Sequence, residues 1–140
     1  MPDGLDAITV QVASSLKDID REAWDVCAGP VNPFVSYSFL SALEDSGSVS
    51  ANTGWACQHL FIKDFRGGYL GVAPIYVKGH SYGEYVFDWV WADAYERAGG
   101  KYFPKLLCGV PFTPITGPRL MVAPQASRYD KEIRTALATA

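Results

Sequence analysis

The stretch ACQHLFIKDFRGGYLGVAPIYVK, Ala56 to Lys78, holds two runs of apolar, β-branched and aromatic residues separated by Phe65-Arg66-Gly67-Gly68. Glycine supplies the positive φ that a tight reversal needs, so the segment predicts two strands joined as an antiparallel hairpin. Pro74 interrupts the second run. Its ring removes a ladder donor, which predicts a bulge or an edge at that point.

On the N-terminal side, Ala7 to Ala13 (AITVQVA) alternates as a strand does. Ile19, Ala23, Val26 and Cys27 then recur at helical spacing, with Asp18 or Asp20 as a cap and Gly29-Pro30 as a stop. A second helix is predicted in NPFVSYSFLSALEDSG, with Asn32 as its cap, Pro33 at its first position, an apolar line of Val35, Phe39 and Leu43, and Gly47 at its end. On the C-terminal side, GHSYGEYVF would place His80, Tyr82 and Glu84 on one face if extended. Asp88 then caps a predicted helix with Trp91, Ala94, Tyr95 and Ala98 as its inner stripe and Gly99 as its stop. The next strand, YFPKLLCGVPF, runs into Val110–Leu120, VPFTPITGPRL, whose three prolines cost backbone donors. Ile133 and Leu137 mark an amphipathic last helix that stops without a C-cap. The order is β-α-α-β-β-β-α-β-α, an α/β (α+β) class.

A chain of 140 residues, 49% apolar and 19% charged, is one domain's worth with enough apolar surface for a core. The net charge of −3 gives no basic footprint, which argues against nucleic acid and anionic membranes as partners. No apolar run reaches the roughly 20 residues of a membrane span. The first residues carry no secretory pattern, so a cytoplasmic address is expected. Cys27, Cys57 and Cys108 are odd in number and far apart, which predicts reduced core thiols. No zinc-ligand spacing is present, and no metal is expected.

The block KGHSYGEYVFDWVWADAYERAGGKYFPKLLCGVPFTPITGPRLMV, Lys78 to Val122, resembles the FemAB-like acyltransferases of peptidoglycan biosynthesis or recognition in the GNAT superfamily, and NPFVSYSFLSALEDSGSV is similar to the same family. The resemblance implies a mostly antiparallel, twisted GNAT-like sheet flanked by helices, and transfer of an acyl or aminoacyl group onto an amine. It implies acetyl-CoA or aminoacyl-tRNA as donor, and a single domain over residues 1–140 that is the N-terminal part of something longer. It also implies a cleft between two parallel strands, ending near Phe87 and Phe112. The turn Tyr85–Ala92 departs from a CoA pyrophosphate loop, since it lacks glycine and sets Asp88 where a phosphate would lie. The cofactor-binding residues are therefore left unassigned.

Acyl transfer to an amine needs a base and a donor for the oxyanion. His80 and Glu84 are the candidates for the first, Tyr82 and Tyr85 for the second; the competing reading makes His80 and Glu84 a structural pair. Pro111, Phe112, Thr113, Thr116 and Arg119 are candidates for substrate binding, with Arg119 offering a planar fork to an anion. The competing reading is a rigid turn with local hydrogen bonds. Trp89, Trp91 and Tyr95 suit a platform for a sugar or acyl group, but their helical spacing favours core. The expected partner is a small-molecule or peptide amine acceptor. A different class of function, a non-catalytic domain that binds a peptide or saccharide or serves in assembly, fits the same residues. The uncovered stripe of the last helix predicts a homo-oligomer or a missing second half.

Overall fold

The structure is a computed structural model that describes residues 8–140; Ala7, the first residue of the first predicted strand, lies outside it. The predicted hairpin forms. Strands β3 (His59–Lys63) and β4 (Tyr69–Ala73) pair antiparallel, and the Asp64 carboxylate accepts the N–H groups of Arg66 and Gly68 in the turn. Beyond Gln58 and Pro74 the same two chains pair again as β2 (Ala56–Cys57) and β5 (Ile75–Lys78). Pro74 offers only its carbonyl, which accepts from Gly109 N. The hairpin therefore bends here and passes from one sheet into another.

Strand β1 (Val10–Ala13) borders β3, and β6 (Lys105–Cys108) borders β5, both antiparallel. Opposite β4 lies the two-residue β7 (Met121–Val122). Because β7 borders β4 and β6 borders β5, the two successive parts of one run of chain, β6 and β7 act as one interrupted strand, and the proline-rich stretch is the loop expelled where the sheet bends. That is how the missing donors of Val110–Leu120 are accommodated.

The fold is α+β with antiparallel sheets, as expected, but its order differs from the expected one. Among the described residues no parallel strand pair occurs, and Gly79–Asp88 forms turns rather than a third strand. The splayed parallel cleft near Phe87 and Phe112 is thus absent from the described fold. Gly83, at φ 80°, breaks the extended alternation.

Helix α1 (Arg21–Ala28) is capped by Asp20, and α2 (Tyr37–Asp45) by Ser36 after a 3-10 turn that Asn32 caps. Trp24, Cys27 and Leu40 enter the core, whereas Val26 is exposed, so the buried stripe of α1 is rotated from the predicted one. These helices cover the sheet face that carries His59 and Phe61. Helix α4 (Asp130–Thr139) covers the opposite face, where Ile133 and Leu137 are buried over Gly71. The apolar stripe that sequence leaves uncovered on α4 is therefore covered. Helix α3 (Trp89–Arg97) differs again, since only Ala92 is buried. Trp91 is 75% exposed and Tyr95 54%, so the predicted inner stripe faces outward. No helix among the described residues is long and apolar enough to cross a membrane.

Candidate functional site

Residues Lys78 of β5 and Lys105 of β6 stand directly opposite in the ladder, on the face shared with Tyr76. Like charges in that register repel. The turns after β5 bring Glu84 back between them, 3.3 Å from Lys78 Nζ through Oε2 and 2.8 Å from Lys105 Nζ through Oε1. Lys78 is fully buried, lies 3.6 Å from the centroid of the Trp55 ring, and donates to Tyr82 O. A cation so placed draws on the ring's negative face as well as on the carboxylate.

Lys105 completes the cluster by donating to Ser81 Oγ at 2.9 Å and Asp88 Oδ2 at 2.5 Å, and Tyr102 OH donates to the same Asp88 oxygen at 2.6 Å. Asp88 sits at the N-cap position of α3 but makes no cap bond, contrary to the predicted role, because its carboxylate is turned to Lys105 and Tyr102. Burial pushes its pKa up, but the hydrogen bonds from Lys105, Tyr102 and Ser81 outweigh that and hold it at about 2. For Lys105, burial disfavours the charge, yet the bonds to Asp88 and Glu84 raise the pKa. For Lys78 burial prevails over Glu84 and the pKa is lowered. Among the described residues, Glu84 Oε2 and Asp88 Oδ1 are buried without a hydrogen-bond donor.

The candidate site residues distribute unevenly around this cluster. Glu84 belongs to it. His80 does not pair with Glu84, as the structural reading expected; its Nδ1 accepts from Tyr82 N, and its ring lies over Gly54, where a Cβ would meet Nε2 at 2.3 Å. Tyr82 and Tyr85 are exposed. In the expelled loop, the Phe112 ring packs on Trp55 at a centroid distance of 5.2 Å and closes a small second core with Tyr76 and Val49. Phe112 adopts φ 64°, strained for a non-glycine residue and sustained by that packing. Pro111 is buried, and Thr113 Oγ1 accepts from Ile115 N. Thr116 O accepts from Asn32 Nδ2, and Arg119 donates to the carbonyls of Ile115 and Pro118. The loop residues are therefore not gathered around Glu84.

Sequence reasoning missed Lys78, Ser81, Tyr102 and Lys105. The signal available was a lysine that ends one apolar strand run, IYVK, and a lysine that begins another, KLLC, which becomes informative only once their register is known.

A second polar group lies under α2. Glu44 accepts from Ser15 Oγ, Leu16 N and His59 Nε2, the last at 3.1 Å. Glu44, Cys57 and His59 bring their ligand-type atoms within 4.8 Å of one another. However, Ile75 N donates to His59 Nδ1, which leaves the ring proton on Nε2 for Glu44 rather than a lone pair for a metal. Burial and the nearby Glu44 push the Cys57 thiol up to about 12, so it is no nucleophile. The three cysteines are free, but Cys108 is exposed and not a core thiol.

In the segment that carries Glu84 and Asp88, Tyr82, Tyr85, Phe87, Trp89, Trp91 and Tyr95 are all exposed, and Tyr82 packs edge-on against Trp89 at 5.9 Å. The fold and this site define a helix-flanked antiparallel α+β protein whose buried charges are paired internally and whose adjoining segment exposes six aromatic side chains. The chain belongs to the FemAB-like family, described as peptidoglycan biosynthesis/recognition, whose model matches residues 15–140. No curated protein and no solved structure matches it.

Proposed function

We propose that this domain recognises the acceptor in a FemAB-like acyl transfer of the GNAT type, binding an amine-bearing peptide or saccharide on the aromatic surface between Tyr82 and Tyr95. The observation that carries this reading is that six aromatic side chains in fourteen residues are left in solvent. Exposed apolar area of that density marks a binding surface, and Trp and Tyr are the residues that concentrate binding energy. The C–H face of a sugar ring suits the negative face of an aromatic ring. The family description, peptidoglycan biosynthesis/recognition, supports a peptidoglycan-related role.

A second reading makes Glu84 the base of the transfer, favoured by a buried Oε2 that accepts no hydrogen bond and has only the 3.3 Å ionic contact with Lys78. An incoming ammonium would have to displace Lys78 to reach it, so recognition is the better supported reading.

The test is a tryptophan fluorescence titration with a disaccharide-peptide fragment of peptidoglycan. Trp89 and Trp91 are exposed and report on the surface, whereas Trp24 and Trp55 are buried. Saturable binding is expected, weakened at least tenfold by Trp91→Ala or Tyr95→Ala in folded protein. No saturable change with folded wild type, or full affinity in both variants, overturns the proposal.

A further inference from the structure

On the face of the sheet that carries α4, the strands on either side of the bend are only partly covered, with Val12 and Leu106 exposed. Val12, Leu60, Ile75, Val77 and Leu106 line a groove of about 600 Å³ together with Leu137, Ala138 and Ala140 of the last helical segment. The register explains the composition, because Val12 pairs with Leu60 and Val77 with Leu106, so these side chains emerge on one face. The volume falls within the range of small-molecule sites, roughly 300–1,000 Å³.

Arg119 is the only charged side chain lining this groove among the described residues. Two of its nitrogens hold the carbonyls of Ile115 and Pro118, which fixes the guanidinium; its Nε donates to no group among the described residues. Beside that edge lies Gly109, where a Cβ would stand 3.7 Å from Nε. An apolar trough with one anchored cation is complementary to an apolar chain bearing one negative charge. A carboxylate meets that description, whereas a phosphate monoester carries closer to two charges.

We propose that this groove binds a free single-chain acyl carboxylate, with the chain along Val77 and Leu106 and the head group at Arg119. The site does not involve the aromatic surface and does not rest on its role.

Calorimetric titration of the folded chain with dodecanoate, dodecanol and dodecyltrimethylammonium tests this directly. Dodecanoate is expected to bind at least tenfold more tightly than the alcohol, and the cation more weakly still. Arg119→Gln should reduce dodecanoate to the affinity of the alcohol. Should that variant fail to fold, Leu106→Glu decides: Leu106 is 69% exposed, so the change leaves folding intact and should abolish dodecanoate binding by placing a like charge in the groove. The proposal is overturned by absence of binding to folded wild type, by equal affinities for anion and cation, or by undiminished binding in Leu106→Glu. Binding to phosphatidylglycerol vesicles with none to free dodecanoate overturns it as well.

Discussion

Lys78 and Lys105 face each other across β5 and β6, and only a carboxylate between them makes that register tolerable. Removing Glu84's charge would leave a fully buried ammonium without its ionic partner, a change that costs about 3 kcal/mol or more in comparable pairs. Removing Lys78 is different, since Glu84 keeps Lys105 and the repulsion disappears. Glu84→Gln is therefore expected to lower the urea midpoint steeply, and Lys78→Met, which keeps Lys105 beside Glu84 but leaves one lysine to two carboxylates, to lower it less. Equal losses in the two variants would show that the carboxylate is not what holds the pair. None of this was visible in the sequence, where Glu84 read as one face of an extended run. Local alternation carries no information about a partner that arrives from β6, twenty-one residues further on.

At the level of elements, what was legible followed from local chemistry. The hairpin was readable because its turn requires glycine and its runs are apolar, and Pro74 correctly marked a break because a missing N–H is a local fact. Asp20 was one of the two caps the sequence offered for α1, and Asn32 was readable as a cap, though it caps the 3-10 turn while Ser36 caps α2. The burial of α3 was not, because a helical apolar stripe shows that a face is apolar and not that another element covers it. The covering of α4 shows the converse. It depends on Gly71, where a Cβ would lie 2.7 Å from Ile133 Cγ2 and 3.1 Å from the carbonyl of Met121. Gly71→Ala is thus expected to push α4 off the sheet at a cost of about 1–3 kcal/mol, read from the denaturant midpoint. Trp91→Ala, on an exposed position of α3, should move that midpoint by less than about 0.5 kcal/mol. If Gly71→Ala proves as silent as Trp91→Ala, the close packing of α4 on β4 is not required for stability.

Across the whole molecule, the charged cluster ties the turn segment to β5 and β6, and the Glu44 group ties α2 to the bend of the sheet at His59 and Ile75. The carboxyl groups of Asp88 and Glu44 are both held below their ordinary pKa. For Asp88 burial is outweighed by bonds from Lys105, Tyr102 and Ser81, and for Glu44 it is outweighed by His59, Leu16 and Ser15. A carboxyl group whose folded pKa lies below its unfolded value, about 3.9 for Asp, stabilises the protein above that value and loses the contribution as pH falls through the folded pKa. For Asp88 the window runs from about pH 4 down to about 2. Asp88→Asn removes that contribution at every pH. The stability gap between wild type and Asp88→Asn should be widest near neutrality and close across this window, while the loss due to Glu44 proceeds in both proteins. Because Asp88 holds the start of α3 to Lys105, the near-ultraviolet circular dichroism of Trp89 and Trp91 should change in step with the closing gap. A gap that stays constant down to pH 2 would mean that the ion pair between α3 and β6 contributes no acid-sensitive stability, and that the aromatic surface is held in place by packing alone.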